Sequence, residues 1–151
     1  MNKLEYYKEL ANDLFSKYKL SKWILIYNTK IKNILGYCYY DKKEIHLNKS
    51  LVLTAPYEFI NDIMLHEISH AIVGREHYHN DKWKKVFLSL GGSGNITYDQ
   101  DYISYKYVAI CNVCSTSFGR HIKPQIDRNY SCPKCSPNYN DNYKLIFVKS
   151  N

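Results

Sequence analysis

The chain has 151 residues, 45% hydrophobic and 23% charged, with a formal net charge of +7. That is the length of one domain, or of one domain with a small appendage, and the balance of a globular protein that buries a core. No apolar run reaches the length of a membrane span, and the stretch from Met1 to Lys8 lacks the apolar core of a signal peptide. No membrane partner and a cytoplasmic or otherwise intracellular location, the nucleus included, are therefore expected. The basic residues are nearly all lysine, beside abundant Asn, Ile and Tyr, which is the mark of AT-rich coding. The charge is thus weak evidence for a polyanionic partner.

Leu4, Tyr7, Leu10, Ala11, Leu14, Phe15 and Tyr18 recur at helical spacing, so residues 3–18 read as an amphipathic helix. Three short β candidates follow: Trp23 to Tyr27, Leu35 to Tyr40, and Glu44 to Asn48, the last two joined by a turn at Asp41-Lys42-Lys43. Together they predict a small antiparallel sheet. His46 falls on the polar phase of its strand and reads as a surface or edge residue. Cys38 reads as a small hydrophobe on a strand. Thr54, Pro56 and Glu58 suit a helix start, as cap, first-turn residue and dipole partner. The helix then runs through Phe59, Ile60, Ile63, Met64, Ile68, Ala71 and Ile72 to a stop at Gly74. Asn80 or Asp81 can cap a second helix with Trp83, Val86, Phe87 and Leu90 inside, closed by the Gly91-Gly92-Ser93-Gly94 run. Residues 143–148 read as a last strand.

The first long helix carries His66-Glu67-Ile68-Ser69-His70, the pattern H-E-x-x-H. Positions i and i+4 share a helix face, so His66 and His70 can aim their imidazoles at one point. Two neutral imidazoles suit Zn²⁺, and Glu67 is placed to take a proton from water there. The pattern has only three fixed residues, so a third ligand has to support it. The register H-E-x-x-H-x-x-G-x-x-H fails, because Val73 and Glu76 stand where Gly and His are required. A downstream glutamate ligand is excluded, because no Glu follows Glu76. His77 and His79 both follow the break at Gly74. His79 has more reach and sits at the start of the next helix, which favours it on geometry. His77 stays open, as does an aspartate, Asp81 or Asp99. Tyr78, Arg75 and Tyr98 are candidates for a separate oxyanion donor.

Four of the five cysteines form Cys111-x-x-Cys114 and Cys132-x-x-Cys135, seventeen residues apart. This spacing matches a tetrahedral zinc site, and four thiolates leave no position for water, so that zinc is expected to be structural. Phe118, Arg120, His121, Lys123, Arg128 and Tyr130 lie between the pairs, with Lys134 inside the second. Basic residues interleaved with aromatics can follow phosphates and stack bases. Two of the chain's three arginines fall here, which coding bias does not predict.

His66-Glu67-Ile68-Ser69-His70-Ala71, His79 with Trp83 four residues on, and the two C-x-x-C pairs together resemble the SprT-like (Spartan-related) zinc metalloprotease family. Leu35-Gly36-Tyr37-Cys38 and Glu44 to Asn48 are similar to that family's strand pair ahead of the active-site helix. The resemblance covers roughly residues 4–135. One departure is Glu76-His77-Tyr78, where many relatives have a glycine beside the third histidine.

The resemblance implies an α+β, zincin-like core of N-terminal helix, small sheet, H-E-x-x-H helix and second helix over residues 1–105. A zinc ribbon and C-terminal strand would fill residues 106–151. It assigns His66, His70 and His79 to a catalytic zinc and Glu67 to the general base, with Cys111, Cys114, Cys132 and Cys135 on the structural zinc. The expected activity is peptide-bond hydrolysis on protein substrates. DNA is a candidate partner through the ribbon, since ribbons in related proteins are associated with DNA. The rival reading is a zinc-ribbon nucleic-acid-binding protein without protease activity; a zinc hydrolase acting on another amide is a third.

Overall fold

The computed structural model describes residues 1–98, 102 and 105–150. The chain divides into two compact units, Met1–Ile103 and Ser104–Asn151, and its class is mixed α and β. No helix among the described residues is long and apolar enough to cross a membrane.

In the first unit, α1 (Lys3–Lys17) starts on a reciprocal cap: Glu5 N–H donates to Asn2 Oδ1 and Asn2 N–H donates to Glu5 Oε2, each at 3.0 Å. Tyr7, Ala11 and Phe15 recur every four residues and are its buried stripe. Three strands follow, β1 (Ile24–Asn28), β2 (Gly36–Tyr39) and β3 (Glu44–Asn48). Their spatial order is β1-β3-β2.

The expected antiparallel sheet is therefore corrected to a mixed one. β2 and β3 form an antiparallel hairpin, but β1 pairs parallel to β3. The reason is that the last strand in sequence enters the middle of the sheet, where both of its faces are covered. His46 changes with it: it is 8% exposed, not a surface residue. Its ring stacks on Tyr37 with centroids 4.5 Å apart, and Nε2 lies 2.7 Å from Glu44 Oε2. Gly36 is required by this pairing, because a Cβ there would stand 2.7 Å from the His46 carbonyl oxygen.

The helix start expected at Thr54 is divided in two. α2 (Lys49–Thr54) is a short helix of its own, capped by Asn48, whose Oδ1 accepts from Leu51 N–H. Thr54 ends it, its hydroxyl donating to the Ser50 carbonyl at 2.9 Å. Pro56 then stands as N-cap of α3 (Tyr57–Val73), with no side-chain cap and Glu58 in the first turn. Gly74 ends α3 at φ +94°, a conformation glycine adopts without strain.

α3 is buried on two sides. Ile60, Ile63, Met64 and Ile68 join Tyr7, Phe15, Ile45 and Leu47 in the main core. Leu65 and Val73 pack instead with Trp83 and Phe87 of α4 (Asp81–Ser89). Asn80 caps α4 by accepting from the N–H groups of Lys82 and Trp83. A buried aliphatic side chain contributes about 1.5–3 kcal/mol. α3 has enough of them to carry a few polar residues at fixed positions.

The second unit is a small antiparallel sheet of β4 (Tyr107–Ile110), β5 (Ser117–Arg120) and β6 (Val148–Lys149), in the order β5-β4-β6. Its core is Ala109, Cys111, Cys132 and Leu145. The last strand is shorter than residues 143–148 predict. Asn140 caps a single 3₁₀ turn at Asp141–Tyr143, Lys144 makes an isolated antiparallel bridge with Ser131, and Val148 and Lys149 pair with β4.

Candidate metal centres

α3 and α4 bring three imidazoles together. His66 and His70 are one turn apart on α3, and His79 lies just before the Asn80 cap of α4. His79 Nε2 is 3.0 Å from His66 Nε2 and 3.1 Å from His70 Nε2. Three nitrogens this close are a donor set converging on a point that a metal ion can fill. Tetrahedral zinc with Zn–N of about 2.0–2.1 Å needs N···N separations of about 3.3 Å, so the cluster fits with a small expansion. The ring Nδ1 atoms of His66 and His70 are buried with no hydrogen-bond partner among the described residues.

The electrostatics suit ligands. Burial first, then the neighbouring His79, lowers the His66 pKa to about 4. Burial, then His66 and His79, lowers His70 to about 4. Burial lowers His79 as well. All three are neutral at physiological pH, the form that binds metal.

Trp83 supports this geometry. It is 0% exposed, and its ring centroid lies 4.7 Å from that of His66, 5.3 Å from His70 and 4.6 Å from His79. Its indole N–H donates to the His66 carbonyl oxygen at 3.4 Å. The alternative third ligand, His77, lies elsewhere: its ring nitrogens are 3.1 Å from Asn80 Nδ2 and 3.3 Å from Lys82 Nζ. Asp81 is not in the cluster, and Asp99 lies outside the described residues.

Glu67 points from α3 toward β2. Burial pushes its carboxyl up to about 8, and a hydrogen bond from the Cys38 backbone N–H opposes the rise. Its charge also acts on the Cys38 thiol, on Tyr40 and on Tyr98. The Cys38 thiol is itself pushed up to about 12 by burial, so it stays protonated.

Of the oxyanion candidates, Tyr98 has its ring 5.7 Å from that of His66. Its hydroxyl, however, donates to Asp62 Oδ2 at 2.8 Å. Arg75 pairs with Asp41 at 2.6 Å and lies over the Tyr40 ring. Tyr78 is 73% exposed. Sequence reasoning missed Asp62, which also accepts from Ser93 N–H at 2.7 Å and from the Ser93 hydroxyl at 2.6 Å. Its spacing of four from His66 was the available signal, since it places Asp62 on the same helix face.

In the second unit the four cysteines converge. Cys111 Sγ lies 3.8 Å from Cys135 Sγ, and Cys114 Sγ lies 3.6 Å from Cys132 Sγ. Tetrahedral zinc with Zn–S of about 2.3 Å needs S···S separations of about 3.8 Å, so this set fits. The Ser115 N–H donates to the Cys111 carbonyl at 2.9 Å and the Ser136 N–H to the Cys132 carbonyl at 3.2 Å, folding each pair into a tight turn. Hydrogen bonds with Thr116 lower the Cys114 pKa to about 6, favouring thiolate.

A family model described as the SprT-like family matches residues 4–101. The chain belongs to the SprT-like family. The Protein SprT of Actinobacillus succinogenes is 32% identical over 111 residues, an alignment covering 66% of this chain and 65% of that protein. The Protein SprT of Vibrio parahaemolyticus is 31% identical over 111 residues, covering 66% and 67%. The chain thus spans about two thirds of the length of the curated relatives it matches. No solved structure matches it. The family match includes α3, the three histidines and Trp83, and stops short of the four cysteines.

Proposed function

We propose that this SprT-like chain is a zinc-dependent metallopeptidase that hydrolyses peptide bonds in protein substrates. One observation carries the reading. A half-buried carboxyl, Glu67, directly follows a histidine whose imidazole converges with two others on one point. A purely structural metal site has no use for a carboxyl partly withdrawn from water there, which without a role would be a cost.

Zinc at this point supplies a Lewis acid that polarises a carbonyl and brings the pKa of water toward neutrality. His66, His70 and His79 hold it through Nε2. Glu67 accepts a proton from the attacking water and delivers it to the leaving amine. The Cys38 N–H keeps the Glu67 carboxyl in place, and a neighbouring positive charge favours its ionised form. The Cys111, Cys114, Cys132 and Cys135 set holds a second zinc that stabilises the small unit, whose buried core is slight.

The test is Glu67→Gln. The variant keeps its metal content and loses cleavage of an unstructured protein by at least about 100-fold, the ordinary contribution of a general base. Unchanged cleavage by the variant sinks the mechanism.

A second element of the proposal is DNA contact through the ribbon, which makes DNA-associated proteins the expected substrates. A cavity of about 450 Å³ there is lined by Lys123, Arg128, Lys144 and Lys149, with Tyr107, Tyr130 and Phe147. The Arg120 guanidinium lies over Tyr130 and Phe147, at 4.7 and 5.7 Å from their centroids. Cations beside aromatic faces suit phosphates and bases. Binding of single-stranded DNA to the Glu67→Gln chain should weaken steeply with salt; binding independent of salt removes this element.

A further inference from the structure

A cavity of about 760 Å³ lies beside the first two turns of α3, lined there by Glu58, Phe59 and Asp62 and on its other side by Asn95, Tyr98 and Tyr102. It shares a wall with the imidazole cluster. Asp62 is one helical turn before His66, and the Tyr98 ring that faces the cavity also packs 5.7 Å from the His66 ring. The Phe59 ring centroid is 4.5 Å from that of Tyr102 and 5.8 Å from that of Tyr98, so three aromatic faces meet there.

The two carboxylates differ in what they have left to give. Asp62 accepts from the Ser93 N–H, the Ser93 hydroxyl and the Tyr98 hydroxyl, so its oxygens are committed to holding the far wall in place. Glu58 makes no hydrogen bond or ion pair among the described residues. The charged lining is wholly acidic, with no lysine, arginine or histidine among the described lining residues, in a chain of net charge +7.

We infer that this cavity is the substrate subsite beside the metal centre and that it selects a cationic side chain, lysine or arginine, of an extended polypeptide. A guanidinium or ammonium there meets aromatic faces and an unpaired carboxylate at once. A neutral side chain of similar size makes no ion pair with Glu58, which is exposed, and loses the cation–aromatic contacts, so it binds more weakly. The cavity is larger than one side chain, so it also takes backbone on either side. The link to cleavage rests on the metallopeptidase reading; the binding preference does not.

The test uses two pentapeptides, glycine throughout except for a central arginine or a central glutamine. Each is titrated by NMR into the zinc-loaded Glu67→Gln chain, which is expected to bind without cleaving. The arginine peptide should bind at least tenfold tighter and shift the ring signals of Tyr98 and Tyr102. Glu58→Gln should reduce the difference to about threefold or less, while Glu9→Gln, on the exposed face of α1, leaves it unchanged. Equal binding of the two peptides, or a preference that survives Glu58→Gln, overturns the subsite. Cleavage of both peptides by the unsubstituted chain is measured separately. Selective binding with no Glu67-dependent cleavage of any peptide supports the subsite and overturns the metallopeptidase reading alone.

Discussion

Trp83 lies against His70 with ring planes 26° apart and centroids separated by 5.3 Å, and the same indole edges His79 at 4.6 Å. His70 lies on α3 and His79 in the turn just before α4, and one fully buried ring lies against both. Trp83→Ala should therefore do two things. It removes a large core side chain, costing about 3–5 kcal/mol by urea denaturation. It also frees the imidazoles, lowering zinc affinity about 10–100-fold in a chelator competition. Destabilisation without any change in affinity would show that the indole packs the core and does not set the site.

His77 and His79 are separated by one residue and have different surroundings. His79 meets His66 and His70, whereas His77 meets Asn80 and Lys82. His79→Ala should lower the metal bound per chain by one ion, counted by elemental analysis with the cysteine set intact. His77→Ala should leave that count unchanged. The reverse outcome would move the third ligand to His77.

Much of this site was legible in the sequence, because its signals are local. His66 and His70 share a face by helical spacing alone. Asn80 as a cap and Trp83 as the first inward residue of α4 follow from capping and periodicity. The sheet was less legible. Strand direction depends on which neighbour a strand finds in space, and no pattern within Ile24 to Tyr27 or Glu44 to Asn48 encodes that. Placing β3 centrally is what buries His46, so one topological choice accounts for both departures. Asp62 was hidden for a related reason: its three donors lie more than 30 residues downstream.

The metal-free protein should be sensitive to acid in a defined window. His66 and His70 are each lowered from 6.5 to about 4 in the fold, mainly by burial. Between those values the two histidines take up protons on unfolding, whereas Glu67, raised from 4.5 to about 8, releases one, so the net loss of stability as pH drops from about 6.5 to about 4 is that of about one proton. The measurement is the urea midpoint of the chelator-treated chain across that range. His70→Gln, which removes one of the two groups, should make the fall shallower. A midpoint that stays flat from pH 6.5 to 4 would mean that the imidazoles are solvated in the metal-free state.

Tyr78 stands immediately before His79 at φ +40° and ψ −123°, a region that L side chains avoid and glycine enters freely. Its side chain is mostly exposed and adds little packing. The strain is thus carried by the backbone that delivers the third imidazole, and such strain costs about 1–3 kcal/mol. Glycine has its own cost, a larger loss of chain entropy of about 0.5–1 kcal/mol. The difference favours Tyr78→Gly by about 1 kcal/mol, read as a higher urea midpoint in metal-free protein. The gain should persist in the His79→Ala background, because it comes from the turn and not from the ligand. A loss of stability in both backgrounds would show that the tyrosine ring has a packing role that outweighs the strain of its backbone.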